Sequence, residues 1–320
     1  MRKLFLIKNP DLFQGKMYLK KNVKKDINYF EGWYFKNVCG NDGISFIPGI
    51  NIEGMTKKAF IQVITNDESW FIDYDIDDFE YNYDPFWIRI GNNYFSKNRI
   101  HIDIKDLALN LNILGDLKYR ESRNISRSLF SPNIMGIFSY IPFMECNHCI
   151  LSMRNVVNGV IDINDRKLVF SNGVGYIEKD FGCSFPKSYV WLQGNCFKNS
   201  SSSFMLSIAD IPFKLFNFRG LICSLIVNDK EYRFATYNNS KILKYDISDD
   251  GIDILLRKGK YFLEVKSKCG DGLMLKAPVD GSMKKEILES INGDIMVTLR
   301  RKKEIIFSDV SVNGGIEIVE

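Results

Sequence analysis

"GYIEKDFGCSFPKSYVWLQGN", residues 175–195, decides how the chain is read. It divides into two extended runs around a turn that carries Gly and Pro. On the first run Tyr176, Glu178 and Asp180 alternate with Ile177, Lys179 and Phe181; on the second, Tyr189, Trp191, Gln193 and Asn195 alternate with Val190, Leu192 and Gly194. Side chains alternate faces with period two along a strand. Each run therefore gathers its acids, amides and large aromatics on one face. That face is expected to turn toward a water-poor hollow, and Lys179, on the opposite face, is expected to be solvated.

Working outward, strand signals dominate. "AFIQVITND" (59–67), "RIHIDIKD" (99–106), "GVIDINDRKLVF" (159–170), "LICSLIVND" (221–229) and "DIMVTLRRKKEIIFSDV" (294–310) are short runs rich in Ile, Val and Phe, broken by Asn-Asp and Gly-containing turns. Such spacing predicts an all-β chain of barrels or sandwiches. One helix is predicted, with Ser282 as N-cap, Met283, Ile287, Leu288 and Ile291 on one face, and a stop at Asn292-Gly293.

The two halves resemble each other. Trp33 in "YFEGWYFKNV" and Trp191 in "SYVWLQGNCF" lie 191 − 33 = 158 positions apart, and "SFIPGI" at 45 recurs as "SFMLSI" at 203 with the same offset. Farther on, "LVFSNGVGYIE" (168–178) matches "IIFSDVSVNGGIE" (305–317). Several matches in one order imply an internal duplication, with β domains over 1–182 and 183–320.

Bulk properties exclude several classes. The 320 residues are 45% hydrophobic and 13% aromatic, enough for real cores, and 43 basic against 39 acidic residues leave no concentrated basic stripe. The runs "KKNVKKD" (20–26) and "KYRESRNISR" (118–127) read as solvated loops, so no nucleic-acid partner is expected. "MRKLFLIKNP" has too short an apolar run for a signal peptide, and no stretch approaches a membrane span, so a cytoplasmic location is expected. Seven scattered cysteines fit free thiols. Cys146-Asn-His-Cys149 has redox or metal spacing but sits in an extended context, and no metal and no cofactor are expected. With only two histidines and no G-x-S-x-G, P-loop or G-x-G-x-x-G, the common hydrolase and nucleotide readings lose support.

"YFEGWYFK" (29–36), "IPFMECNHCILSM" (141–153) and the opening stretch, with "SIADIP" (207–212) and "FATYN" (234–238), resemble the tocopherol cyclase family over most of the chain. Phe181 stands where that family leads one to expect tryptophan. The resemblance implies two tandem lipocalin-like antiparallel β-barrels with few short helices. It also implies closure of a chromanol ring from a prenylated quinol. An acid protonates a trisubstituted alkene, the phenolic oxygen captures the tertiary cation, and water is kept out. The partner is then a hydrophobic, isoprenoid-like small molecule held inside a barrel.

The candidate catalytic residues are Glu178, Asp180 and His148. Either acid is a proton donor tuned by its neighbour, or a structural acid bonded to a turn or a cation; His148 is a proton relay or a core histidine. Candidate ligand-binding residues are Glu31, Trp33, Tyr176, Trp191, Gln193 and Asn195. Glu31, on a face with Tyr29, Trp33 and Phe35, also reads as the buried partner of a basic side chain. "SPNIMGIFSYIPFM" (131–144) and "IPFKLFNFRG" (211–220) are expected to border an entrance with peripheral membrane contact, or to pack between domains. The alternative to an enzyme is a non-catalytic lipocalin-like binding protein.

Overall fold

The computed structural model describes residues 14–15, 19, 27–83, 85–141, 144–199, 201–213, 216–248, 251–268 and 272–320, apart from the side chains of Tyr83, Phe213 and Phe216. The readings of residues 1–10 and 20–26, of Cys269, and of the Phe213 and Phe216 side chains lie outside the described residues. The chain is all-β. The first half supplies β1 (Ile27–Cys39), β2 (Asp42–Gly54), β3 (Thr56–Thr65), β4 (Ser69–Asp75), β5 (Phe79–Tyr83), β6 (Phe86–Ile90), β7 (Asn93–Ser96), β8 (Arg99–Asp106), β9 (Leu111–Arg123), β10 (Cys146–Ile163) and β11 (Arg166–Gly182). The second supplies β12 (Tyr189–Gly194), β13 (Ser203–Phe213), β14 (Phe216–Val227), β15 (Lys230–Ala235), β16 (Lys241–Ser248), β17 (Gly251–Lys258), β18 (Tyr261–Ser267), β19 (Leu273–Val279), β20 (Ser282–Arg301) and β21 (Glu304–Val319).

The sheets share one winding. The first runs β4-β3-β2-β1-β11-β10-β9-β8-β7-β6-β5; the second runs β15-β14-β13-β12-β21-β20-β18-β17-β16, with β19 on β20. All the described pairings between strands are antiparallel, and each half curls so that its first strand pairs with its last (β1 with β11, β12 with β21). Local chemistry sets the hairpins. Asn164-Asp165 and Asn228-Asp229 hold positive φ at both turn residues, the tight geometry that matches strand twist and that Asn and Asp tolerate best.

Alternation then sorts side chains into three cores. Ile100, Ile102 and Ile104 of β8 point with Trp33, Phe35 and Phe46 into the first sheet's interior, where apolar side chains pack around one buried ion pair. Val190 and Leu192 point with Phe204, Leu206 and Val265 into the second. A third core lies between the sheets, where Tyr34, Met153 and Tyr176 of one meet Tyr189, Trp191, Met205 and Ile291 of the other. Burying each large apolar side chain contributes about 1.5–3 kcal/mol. Polar faces such as that of β12 are thus buried because the other sheet covers them.

The predicted helix over 282–291 is strand instead. Ile287, Glu289 and Ile291 of β20 are buried while Leu288 stays exposed, a period of two. The apolar spacing fits both periods, and pairing with β19 and β21 decides between them. Short 3₁₀ turns lie at Ile76–Asp78, Gly136–Tyr140 and Thr236–Asn238.

The repeat is also out of step by one residue at the tryptophans. Trp33 faces the first sheet's interior, whereas Trp191 faces the inter-sheet core. Tyr34 stands where Trp191 does: Tyr34 opposes Glu178 on β11, and Trp191 opposes Glu317 on β21.

Candidate functional site

The hollow expected inside a barrel lies between the two sheets, because each sheet's interior is packed. It encloses about 1270 Å³ of atom-free space, part of it open to solvent. Its lining comes from both halves and from the 131–144 segment, which adds Met135, Phe138 and Met144.

The face of β11 read from the sequence does turn into this hollow. Glu178 and Asp180 line it with His148, which sits directly across from Asp180 on β10. His148 Nδ1 lies 2.8 Å from Asp180 Oδ1. Its Nε2 lies 3.2 Å from Glu178 Oε2, though out of line for a well-directed hydrogen bond. Burial works against a charged imidazole, but the Asp180 and Glu178 carboxyls outweigh it and hold its pKa well above the ordinary value. Tyr176 donates to Glu178 Oε2 at 2.5 Å, and the Trp191 indole N–H donates to the same oxygen at 3.3 Å. Glu178 Oε2 therefore accepts from Tyr176 of β11 and Trp191 of β12 and faces the His148 ring of β10.

His148, Glu178 and Asp180 bring one ligand atom each within 4.8 Å of one another, a spacing a cation accepts. His148, however, turns both ring nitrogens toward carboxyls, the arrangement that suits an imidazolium.

The other predicted residues fall elsewhere. Trp33 touches the lining, but its ring packs against Phe86 in the first interior. Glu31 does not reach the hollow. It is fully buried in the first half, 2.9 Å from Lys179 Nζ, and accepts from Tyr29 and the Gly15 amide. Lys179 is correspondingly buried and ion-paired rather than solvated, because its face of β11 points into the first interior. Gln193 lies one layer behind Trp191, fully buried, and neither amide atom meets a partner among the described residues. Asn195 donates to the Gly175 carbonyl at 3.0 Å. The C-x-x-C cysteines point to opposite sides: Cys146 lines the hollow, 3.8 Å from Asp180, and Cys149 is buried beside Asn133.

Two acids escaped the sequence reading. Glu289 and Glu317 sit directly opposite each other on β20 and β21, and both line the hollow. Tyr34 donates a very short hydrogen bond to Glu289, and Tyr189 donates to Glu317 at 2.8 Å. Burial pushes the Glu289 carboxyl up to about 7, and burial together with Glu289 raises Glu317 well above the carboxylate range. Lys36, on the same face as Tyr34, is buried too; it donates to the Asn313 carbonyl at 2.7 Å, and burial lowers it to about 8. Glu317 was reachable from the sequence, since "NGGIE" repeats the "GVGYIE" that carries Glu178. Glu289 was hidden by the helical reading of 282–291.

The family described as tocopherol cyclase-like matches residues 127–319. A probable chloroplastic tocopherol cyclase of Oryza sativa subsp. japonica is 30% identical over 74 residues, which is 23% of this chain and 16% of that protein. Among solved structures, CghA superposes with a TM-score of 0.58 at 10% identity, covering 92% of this chain and 88% of that one. CghA with Sch210972 gives 0.57 at 9% identity over the same shares. At such identities the structural likeness speaks to the fold alone.

Proposed function

Because this chain belongs to the tocopherol cyclase-like family, we propose that its inter-sheet cleft protonates an alkene of a prenylated quinol, or of a similar isoprenoid, and closes a ring on the resulting cation. The observation that carries this reading is a set of acidic side chains and one histidine gathered in a cleft whose wall is otherwise mostly aromatic and aliphatic. The chemistry requires both. A C–H bond forms as a proton leaves a buried acid for the less substituted alkene carbon. The phenolic oxygen then bonds to the tertiary carbon, its own O–H bond breaks, and the proton returns to the protein. Substrate and product are isomers, so no redox partner or cofactor enters the balance.

Each part of the wall has a task in this reading. Trp191, Tyr34 and the Met135–Met144 side of the cleft exclude water, which would otherwise capture the cation. Aromatic faces next to a desolvated cation contribute about 1–2 kcal/mol each. Glu178 and Asp180, with His148 between them, form the polar end that receives and orients the quinol head.

The test is turnover. The purified protein, given a prenylated hydroquinone, is expected to yield a chroman of unchanged mass, and Glu178→Gln with Asp180→Asn is expected to slow it about 10²–10⁴-fold. A protein that binds this substrate tightly and returns it unaltered is a carrier, and the enzymatic reading then fails.

A further inference from the structure

Proton transfer to an alkene needs an acid that holds its proton at neutral pH. Glu178 is poorly placed for this, since its Oε2 already faces Tyr176, Trp191 and His148. The pair contributed by the second half is different. Glu289 and Glu317 are direct cross-strand neighbours on one face, where two like charges repel. Both carboxyls enter the same cleft from paired positions on adjacent strands. Glu289 is 1% exposed, and its Oε2 meets no N–H or O–H donor among the described residues. Two carboxyl groups so placed hydrogen-bond to each other only if one of them carries a proton.

We propose that Glu289 and Glu317 form a carboxyl dyad that shares a single proton and is the acid that protonates the substrate in the cleft. This rests on the reading of the cleft as a cyclase site and names the group that starts the reaction. In the step, the dyad's O–H bond breaks and its proton forms the new C–H bond. The dyad is left with two adjacent carboxylates facing the tertiary cation. Their mutual repulsion makes the pair a strong base, so it recovers the proton released when the phenolic O–H breaks on ring closure. Tyr34 and Tyr189 hold the outer oxygens by donating to them. Lys36 and Glu178 are the other charged or titratable groups that act on the pair.

Infrared spectroscopy in the carboxylic-acid carbonyl region reads the shared proton directly, on the intact protein and without substrate. The wild-type protein is expected to show a buried acid band that persists through neutral pH and titrates away only at alkaline pH, since burial and the neighbouring Glu289 hold the Glu317 carboxyl well above the carboxylate range. The band is expected to persist in Glu178→Gln and to vanish in the double variant Glu289→Gln/Glu317→Gln. Turnover of a prenylated hydroquinone is expected to fall about 10²–10⁴-fold in each single Gln variant. No such band in the wild-type protein, a band unchanged in the double variant, or turnover within about twofold of wild type in both single variants overturns the proposal. A band that behaves as expected in a wild-type protein without turnover sinks the cyclase reading and leaves the shared proton standing.

Discussion

Replacing Glu289 with Gln is expected to make this protein more stable at alkaline pH, although it removes a group bonded to Tyr34. In the folded chain the carboxyl titrates at about 7 rather than at its ordinary 4.5, chiefly because burial penalises its charged form. The folded state therefore binds more protons than the unfolded state across that interval, and stability falls as pH rises through it. Below about 4.5 the penalty is absent; above about 7 it is complete. At 1.36 kcal/mol per pH unit, the loss amounts to roughly 3 kcal/mol. Gln keeps the shape, still accepts from Tyr34 and never ionises. Its own cost, a neutral hydrogen bond made less well, is about 1 kcal/mol. Urea unfolding at pH 5 and pH 8.5 gives the comparison. The variant is expected to be slightly less stable than wild type at the lower pH and more stable by about 2 kcal/mol at the higher. Parallel pH profiles for the two proteins would refute the buried-acid assignment.

Other consequences are equally open to measurement. His148 between Glu178 and Asp180 is expected to give the NMR signature of an imidazolium at pH 7.5, and Asp180→Asn to lower its midpoint; a neutral ring in the wild-type protein contradicts the site electrostatics. Lys179→Met removes the ammonium 2.9 Å from the fully buried Glu31 and is expected to cost about 3–5 kcal/mol, with Glu31→Leu added on top restoring much of it; chemical denaturation that shows a loss under 1 kcal/mol removes the ion pair from the account. In Gly315→Ala the new Cβ falls 2.6 Å from the Trp191 ring, so the ring must move off Glu178; tryptophan fluorescence is expected to shift, and a spectrum identical to wild type says the ring has room.

How far the sequence carried this account depends on which face of each strand one asks about. The alternation in 175–195 put Tyr176, Glu178 and Asp180 on one face, since a strand's period is a local property; the two acids line the hollow, while Tyr176 is buried in the inter-sheet core and donates to Glu178. The alternation did not say what covers that face. A single strand is equally consistent with a barrel interior and with a sheet-to-sheet interface, and the packed interiors put the hollow at the interface. The same blindness misplaced Lys179, whose burial follows from Glu31 arriving on β1, nearly 150 residues away in the chain. The duplicate halves were legible as a pattern, but one residue of slippage exchanges the faces of a strand. Pairing the two tryptophans therefore hid Tyr34 as the counterpart of Trp191. Glu289 was lost for a third reason: its neighbours fit a helical period until the two flanking strands, β19 and β21, impose the other one.

The central claim is that a proton from this cleft ends on carbon. Running the reaction on a prenylated hydroquinone in heavy water and locating the label by mass spectrometry and NMR tests it most directly. The account predicts a chroman with one deuterium on the carbon beside the newly bonded one, at a position that does not wash out in ordinary water. A cyclised product with no deuterium on carbon, or substrate recovered intact from a protein that holds it, contradicts the account.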